Sequence, residues 1–279
     1  MTTSFNNNVS DKEAQHSCFE EWMELQQQDL LELIHNSDSS SSSSTSNTSA
    51  SSDFNLKQLI EKSIKHFQEY IDTRRHLACS DVTAYLAPTW CTTLESSMLW
   101  ISGCRPSSYI RLLYAMSGKE FESHLSNYLQ GNRSGHLSGL LTVQLNSVDE
   151  LQRKTIRQED QLSNKLASLQ EEIADQPFAI IANEVGNPGE ICREAEEALD
   201  RHAKFLVNVV EEADKLRMVT LKELINILSP LQAVDFLIAS KKLHLCVNAW
   251  GKKRDHQHGR NRETKQERNT CPTLSGLKN

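Results

Sequence analysis

The chain has 279 residues, enough for one large domain or two small ones with a substantial buried core. Hydrophobic residues make up 38% and charged residues 24%, with only 10 Gly and 6 Pro, a balance that excludes fibrous and wholly disordered classes and favours helix. The net charge of −7 is unevenly spread: from Lys252 onward eight Lys/Arg stand against three acids, a net +5, which leaves −12 on the body. A body that acidic repels a phosphate backbone, which disfavours DNA binding by the folded part.

The longest apolar runs, such as Ala179 to Ala182, fall far short of a membrane span. The polar start, Met1 to Ser10, lacks the basic and apolar segments of a secretory signal. Seven cysteines (Cys18, Cys79, Cys91, Cys104, Cys192, Cys246, Cys271) are scattered with no C-x-x-C pair, a pattern of reduced, mostly buried thiols. The expectation is a soluble intracellular protein in nucleus and cytoplasm, with no membrane partner and no metal.

Residues 1–10 are read as a disordered N-terminus. Ser10 and Glu13 fit a capping box, and Phe19, Trp22, Met23, Leu30, Leu33 and Ile34 then recur at helical spacing. The Ser/Thr/Asn tract over 37–52 has nothing to bury and reads as a disordered linker reaching roughly 20 Å as a flexible coil. A second helix starts at Asp53 and carries Leu56, Leu59, Ile60, Ile64, Phe67 and Ile71 on one face. Thr92 and Glu95 form another capping box, opening a short helix with Met98, Leu99 and Trp100 that Gly103 stops.

Pro106 marks the next start, and that helix, with Tyr109, Ile110, Leu112, Leu113 and Met116, is expected to end at Gly118. A short helix with Phe121, Leu125 and Leu129 precedes a glycine-bearing loop over 131–139. Ser147 and Glu150 suggest a third capping box before Leu151, Leu162, Leu166, Leu169 and Ile173, the last four spaced as in a coiled-coil seam and ended by Pro177. After the Asn187-Pro188-Gly189 turn signal a long helical pattern runs from Ala195 to Ile225. Ser229-Pro230 caps a final helix to about Trp250, closed by Gly251. No stretch alternates with period two long enough for a strand. The predicted architecture is all-α, a multi-helix bundle over 11–251 with a basic disordered tail over 252–279.

Candidate chemistry is sparse. No phosphate-binding, nucleophile-elbow or zinc-protease motif occurs, so the chain is read as a binding protein and not an enzyme. Trp22 beside Phe19 and Met23 has two readings: a core aromatic contributing about 3 kcal/mol, or the anchor of an amphipathic helix that docks into a partner. His244, near Cys246, has the chemistry of an axial haem ligand, although a lone helical histidine is more often hydrogen-bonded or exposed. Lys252, Lys253, Arg254, Arg260 and Arg262 read as a nuclear import signal, an anion patch, or a solubilising tail.

The stretch Leu86-Ala87-Pro88-Thr89-Trp90, then Leu94-Glu95, Trp100, Gly103 and Arg105-Pro106-Ser107, resembles the Delay of Germination family of plants. So does Ser229-Pro230-Leu231-Gln232 through Phe236-Leu237, Lys242-Leu243-His244 and Trp250-Gly251. The family's domain also forms the C-terminal part of the TGA class of basic leucine-zipper factors. The resemblance covers Phe19 to Gly251 and makes Trp90, Glu95, Trp100, Gly103, Arg105, Pro106, Ser107 and Trp250 a structural signature. It implies a non-enzymatic, all-helical regulator of seed dormancy in abscisic acid signalling that binds and restrains clade A type 2C protein phosphatases. The binding motif of such members resembles Phe19-Glu20-Glu21-Trp22-Met23, with Glu20 standing where a leucine is expected, so Phe19, Glu21, Trp22 and Met23 are the candidate contact residues. The resemblance also implies haem held by two histidines four apart; His244 matches the first, whereas Asn248 takes the second place with a poorer iron ligand. A second reading is a transcription-associated protein, with self-association and transcription-factor partners. No basic region or zipper adjoins the domain, so direct DNA contact is not expected.

Overall fold

The structure, a computed structural model, describes residues 4–42, 49–129, 140–185 and 191–260, with side chains over 13–37, 53–118, 140–185 and 191–260. The helices are α1 (Ser4–Ser42), α2 (Ser49–Ser80), α3 (Val82–Leu86), α4 (Thr93–Met98), α5 (Ser107–Leu129), α6 (Thr142–Glu171), α7 (Phe178–Glu184), α8 (Arg193–Ile227) and α9 (Pro230–Gln257), with a 3-10 turn at Glu172–Ala174. Among the described residues there is no strand; the one β-bridge pairs Trp100 with Gly103. The all-α bundle is therefore as expected.

Long helices pair in antiparallel fashion. Lys154 meets Glu223 and Lys165 meets Glu212 along α6 and α8, while Glu32 meets Lys62 and Gln15 reaches Leu77 along α1 and α2. Helix α9 lies against α1, α2, α4 and α5. Its start is the anticipated one: Ser229 accepts from Gln232 N–H while the Gln232 side chain accepts from Ser229 N–H, so two orphan donors are satisfied reciprocally.

Burying the apolar faces produces two cores. One joins Leu33, Leu56, Ile60, Ile110, Leu113, Val148, Leu224 and Phe236. The other joins Ala78, Val82, Ile101, Leu162, Leu169, Leu206, Val210 and Ala213. Leu162 and Leu169 of the predicted seam are buried, but Ile173 beyond them is exposed. Between the two clusters α6 contributes Thr155 and Glu159, and α8 contributes Asp214, Arg217 and Thr220, all buried. A polar layer thus divides one apolar core from the other.

Several boundaries differ from expectation. Helix α1 begins before Ser10 and runs into the serine tract, and α2 begins before Asp53, leaving only 43–48 of that tract outside the described residues. Extending a packed helix adds one bond per residue, whereas nucleating one costs several ordered residues, so serine's middling propensity does not stop it. Gly118 does not end α5, which continues to Leu129. Helix α6 starts ahead of Ser147, where Gln144 Oε1 accepts from Leu141 N–H at 3.0 Å and Gln144 Nε2 donates to Ile227 O. Helix α7, packed on α8, had no sequence signal beyond a short apolar run. The Asn187-Pro188-Gly189 turn and the 131–139 loop lie outside the described residues.

Gly251 is the most informative difference. It does not close α9, which runs six residues further and carries Lys252, Lys253 and Arg254 within the helix. A Cβ at Gly251 would lie 2.1 Å from Thr92 Oγ1, so glycine is there to let α9 approach α4, not to terminate a helix.

Candidate functional site

The signature residues converge on one loop and the polar layer beneath it. Trp100 and Gly103 exchange backbone hydrogen bonds of 2.8 and 3.2 Å, with Ile101 and Ser102 between them at φ of 46° and 59°. So tight a turn points its carbonyls at one place, and Arg217, only 2% exposed, fills it. Its guanidinium donates to Cys104 O at 2.8 Å, to Ile101 O at 2.8 Å, to Trp100 O, and to Asp214 Oδ1 at 2.6 Å. A Cβ on Gly103 would stand 2.8 Å from Arg217 Cζ. Arg74 completes the cluster, with Nε 3.0 Å from Asp214 Oδ2 and Nη2 donating to Ser102 O at 2.9 Å. Burial works against the Arg74 charge, but Asp214, Tyr70 and Tyr85 together outweigh it and the pKa rises above the usual arginine value.

The Arg-Pro-Ser element has a parallel purpose. Arg105 Nε lies 2.7 Å from Glu159 Oε2, and Glu159, fully buried, accepts from Ser107 N–H at 2.6 Å and from Ser107 Oγ at 3.0 Å. A carboxylate at the first turn of α5 satisfies orphan donors and favours the dipole. Trp100 Nε1 donates to Ser163 Oγ at 2.9 Å, and Trp90 stands edge-on to Tyr85. Glu95 closes the Thr92 capping box and accepts from Asn248 Nδ2 at 3.0 Å.

Above this layer lies a cavity of 420 Å³. Trp22, Phe67, Tyr70, Tyr85 and Trp90 supply its aromatic wall, while Lys241, His244, Arg74 and Gln26 supply polar groups. Trp22 is 7% exposed, stacked on Tyr70 at 4.5 Å and on Phe67 at 5.6 Å, with Lys241 Nζ 5.9 Å from its ring. Helix α1 is fastened over the cavity by polar contacts. Gln15 Nε2 donates to Asp81 O at 3.2 Å, and Asp29 accepts from Lys241 at 2.9 Å and lies 2.8 Å from His66 Nδ1. Burial lowers the Lys241 pKa, against the pull of Asp29, and burial lifts Tyr70 to about 12. The buried Gln26 Nε2 has no hydrogen-bond partner among the described residues.

The structure places Trp22 in its core position with α1 docked. Phe19 and Met23 are half-buried, Phe19 on the cavity wall, and Glu21 is exposed. Glu20 is exposed too and pairs with His16 at 3.4 Å, so the departure from leucine falls on the surface. Lys252, Lys253, Arg254 and Arg260 are exposed at and beyond the end of α9; Arg262 lies outside the described residues. Trp250, 55% exposed, and Arg105 are the signature residues that stand at the surface. Gln15, Gln26, Asp29, Arg74, Glu159, Asp214, Arg217 and Lys241 were not singled out from the sequence, because one polar residue on an apolar face carries no periodic signal.

The residues four apart on α9 do not fit haem. His244 lines the cavity, its pKa lowered by burial, with Glu95 opposing and Lys241 adding to the shift. Asn248 is buried with its amide committed to Glu95, which leaves one imidazole and no second ligand. Among the described residues no three His, Cys, Asp or Glu are grouped to hold a metal ion, and no helix is long and apolar enough to cross a membrane.

The fold and site define a class: an all-α domain with a buried arginine–carboxylate layer and an aromatic cavity roofed by its first helix. Residues 35–115 match the DOG1 family, described as seed dormancy control. The chain is 34% identical over 255 residues to Protein DOG1-like 3 of Arabidopsis thaliana, covering 88% of this chain and 86% of that protein. It is 37% identical over 263 residues to Protein DOG1-like 1 of the same plant, covering 87% and 90%. Transcription factor TGA1 of Arabidopsis thaliana is 29% identical over 188 residues, 67% of this chain and 44% of the factor. The chain belongs to the DOG1-like, seed dormancy control family.

Proposed function

We propose that the protein is a non-enzymatic regulator of seed dormancy in abscisic acid signalling that binds and restrains clade A type 2C protein phosphatases. The observation that carries the reading is membership of the seed dormancy control family over nearly the whole chain. Helix α1 presents Phe19, Glu21, Trp22 and Met23 to the phosphatase, in the nucleus and the cytoplasm. With α1 docked, Trp22 faces inward, so engagement through its ring requires α1 to lift. Withdrawing that aromatic surface costs about 3 kcal/mol, which lowers the apparent affinity roughly 100-fold relative to a chain with α1 already free.

The test is a pull-down of purified clade A type 2C phosphatases on the full chain and on Trp22→Ala, Glu21→Ala and Asp29→Ala variants, with helicity checked by circular dichroism. The expected pattern is retention by wild type, loss with Trp22→Ala, weakening with Glu21→Ala, and tighter retention with Asp29→Ala, which releases α1. Equal retention by wild type and Trp22→Ala, or none by either, removes the proposal. A second reading, a transcription-associated protein, draws on the TGA1 similarity and the exposed Lys252, Lys253 and Arg254. It expects salt-sensitive DNA retention, direct or through a helical partner, that vanishes when those three are neutralised.

A further inference from the structure

Trp250 stands out as a large aromatic more than half exposed on a well-packed helix. It is not alone. Leu243, Cys246 and Trp250 fall at i, i+3 and i+7 on α9, which places them on one face, and all three are exposed. Met98, at the end of α4 and 56% exposed, lines the cavity together with Leu243, so the apolar stripe runs up to the mouth of that cavity. Scattered exposed apolar residues need no explanation, but a stripe that opens onto an aromatic cavity is a groove with an anchor point.

Charge selects the occupant. Between Asp235 and Asp255 α9 has no acid, and the exposed Lys242, Lys253 and Arg254 border the stripe. Two copies joined along this face would bring like charges together, which disfavours a second copy. A phosphate-rich partner would pair with the border cations but brings no apolar side chain for the Leu243, Cys246 and Trp250 centre. An acidic segment would meet opposite charge at the stripe's border and apolar contact at its centre. We infer that the exposed α9 face around Trp250 is a docking groove for an acidic amphipathic helix of a partner protein, with one apolar side chain of that helix entering between Met98 and Leu243.

The test uses a fluorescein-labelled synthetic amphipathic helix, leucine on one face and glutamate on the other, titrated with the full chain by fluorescence anisotropy. The expected result is saturable binding that weakens with salt and falls about tenfold or more in Trp250→Ala and in Lys253→Glu/Arg254→Glu. Bound peptide also protects Cys246 from iodoacetamide while leaving Cys79, exposed on α2 and away from the cavity, reactive. Leu243→Glu is a second variant: it lies on the exposed face, keeps the helix, and abolishes binding. The inference fails if a peptide with lysine in place of glutamate binds as well, or if neither peptide binds. It fails equally if Trp250→Ala binds undiminished or Cys246 is not protected. Binding of phosphatidylserine vesicles in preference to the peptide assigns the face to a membrane. A dimer in sedimentation that Trp250→Ala dissolves assigns it to a second copy.

Discussion

A methyl group placed on Gly251 pits two known effects against each other. In an open helix, Gly→Ala stabilises by about 1 kcal/mol. At Gly251 the new Cβ would lie 2.1 Å from Thr92 Oγ1 and 2.7 Å from Thr92 Cβ, inside any tolerable contact. Thr92 is buried and cannot swing aside, because its Oγ1 donates to Glu95 Oε2 at 2.7 Å and accepts from Glu95 N–H at 3.2 Å. Overpacking costs about 1–3 kcal/mol, and breaking the cap about 1 kcal/mol more. Gly251→Ala is therefore expected to destabilise by about 1–3 kcal/mol net, with the clash outweighing the propensity gain. In urea unfolding followed by far-UV circular dichroism, an m-value of about 2–3 kcal/mol/M turns this into a midpoint lowered by roughly 0.3–1.5 M. Gly118→Ala is the control, since a Cβ there meets nothing within 4 Å, and its midpoint should rise. On a Thr92→Ala background the Gly251→Ala penalty should shrink, because Oγ1 and Cγ2 are gone. A Gly251→Ala protein at least as stable as wild type would refute the close-approach account of this glycine.

Arg217→Met should cost about 3–5 kcal/mol or prevent folding, because it removes a buried cation and takes the side-chain donor from Ile101 O and Cys104 O, while Trp100 O keeps only Gly103 N–H; thermal unfolding decides, and a loss under 1 kcal/mol counts against the layer's importance. Gln26→Leu should stabilise by about 1 kcal/mol, since it removes a buried amide donor that has no partner among the described residues; a lower urea midpoint contradicts this. His244 adds a pH dependence. Its folded pKa lies below the ordinary 6.5, so between the two values the unfolded chain binds more protons, and stability is lost as pH falls from 6.5 towards the folded value. His244→Gln should flatten that slope in midpoints measured from pH 7.5 to 5, and an unchanged slope would assign it to other groups.

Helix type and core faces were legible because periodicity reports them. Leu56, Ile60 and Ile71 on α2 lie buried as their spacing required, and the Thr92–Glu95 box and the Ser229 cap form where their side-chain chemistry allows, the latter completed by Gln232. Helix ends were less legible: Gly118 and Gly251 look alike in sequence, yet one faces open space and the other a threonine from a distant segment. The polar layer was illegible for the same reason. Nothing local marks Arg217 as the partner of Trp100, Ile101 and Cys104, which lie more than a hundred residues earlier. Trp22 was undecidable between core and interface because both want an aromatic on a helix face; its stacking on Tyr70 shows which applies while α1 is docked.

The arginine layer also bears on the order in which the molecule can be made. The Trp100–Cys104 turn waits for a side chain 113 to 117 positions later, Glu95 for Asn248, and Asp29 for Lys241, 212 positions on. On the ribosome the first half therefore emerges with its carbonyl cage empty until α8 brings Arg217, and with Asp29 and Glu95 unpaired by Lys241 and Asn248 until α9 has left the exit tunnel. Until then it exposes apolar surface of the kind that makes a partly folded chain prone to aggregate. Its yield in a cell depends on the pace of translation through α8 and α9 as well as on the stability of the finished fold.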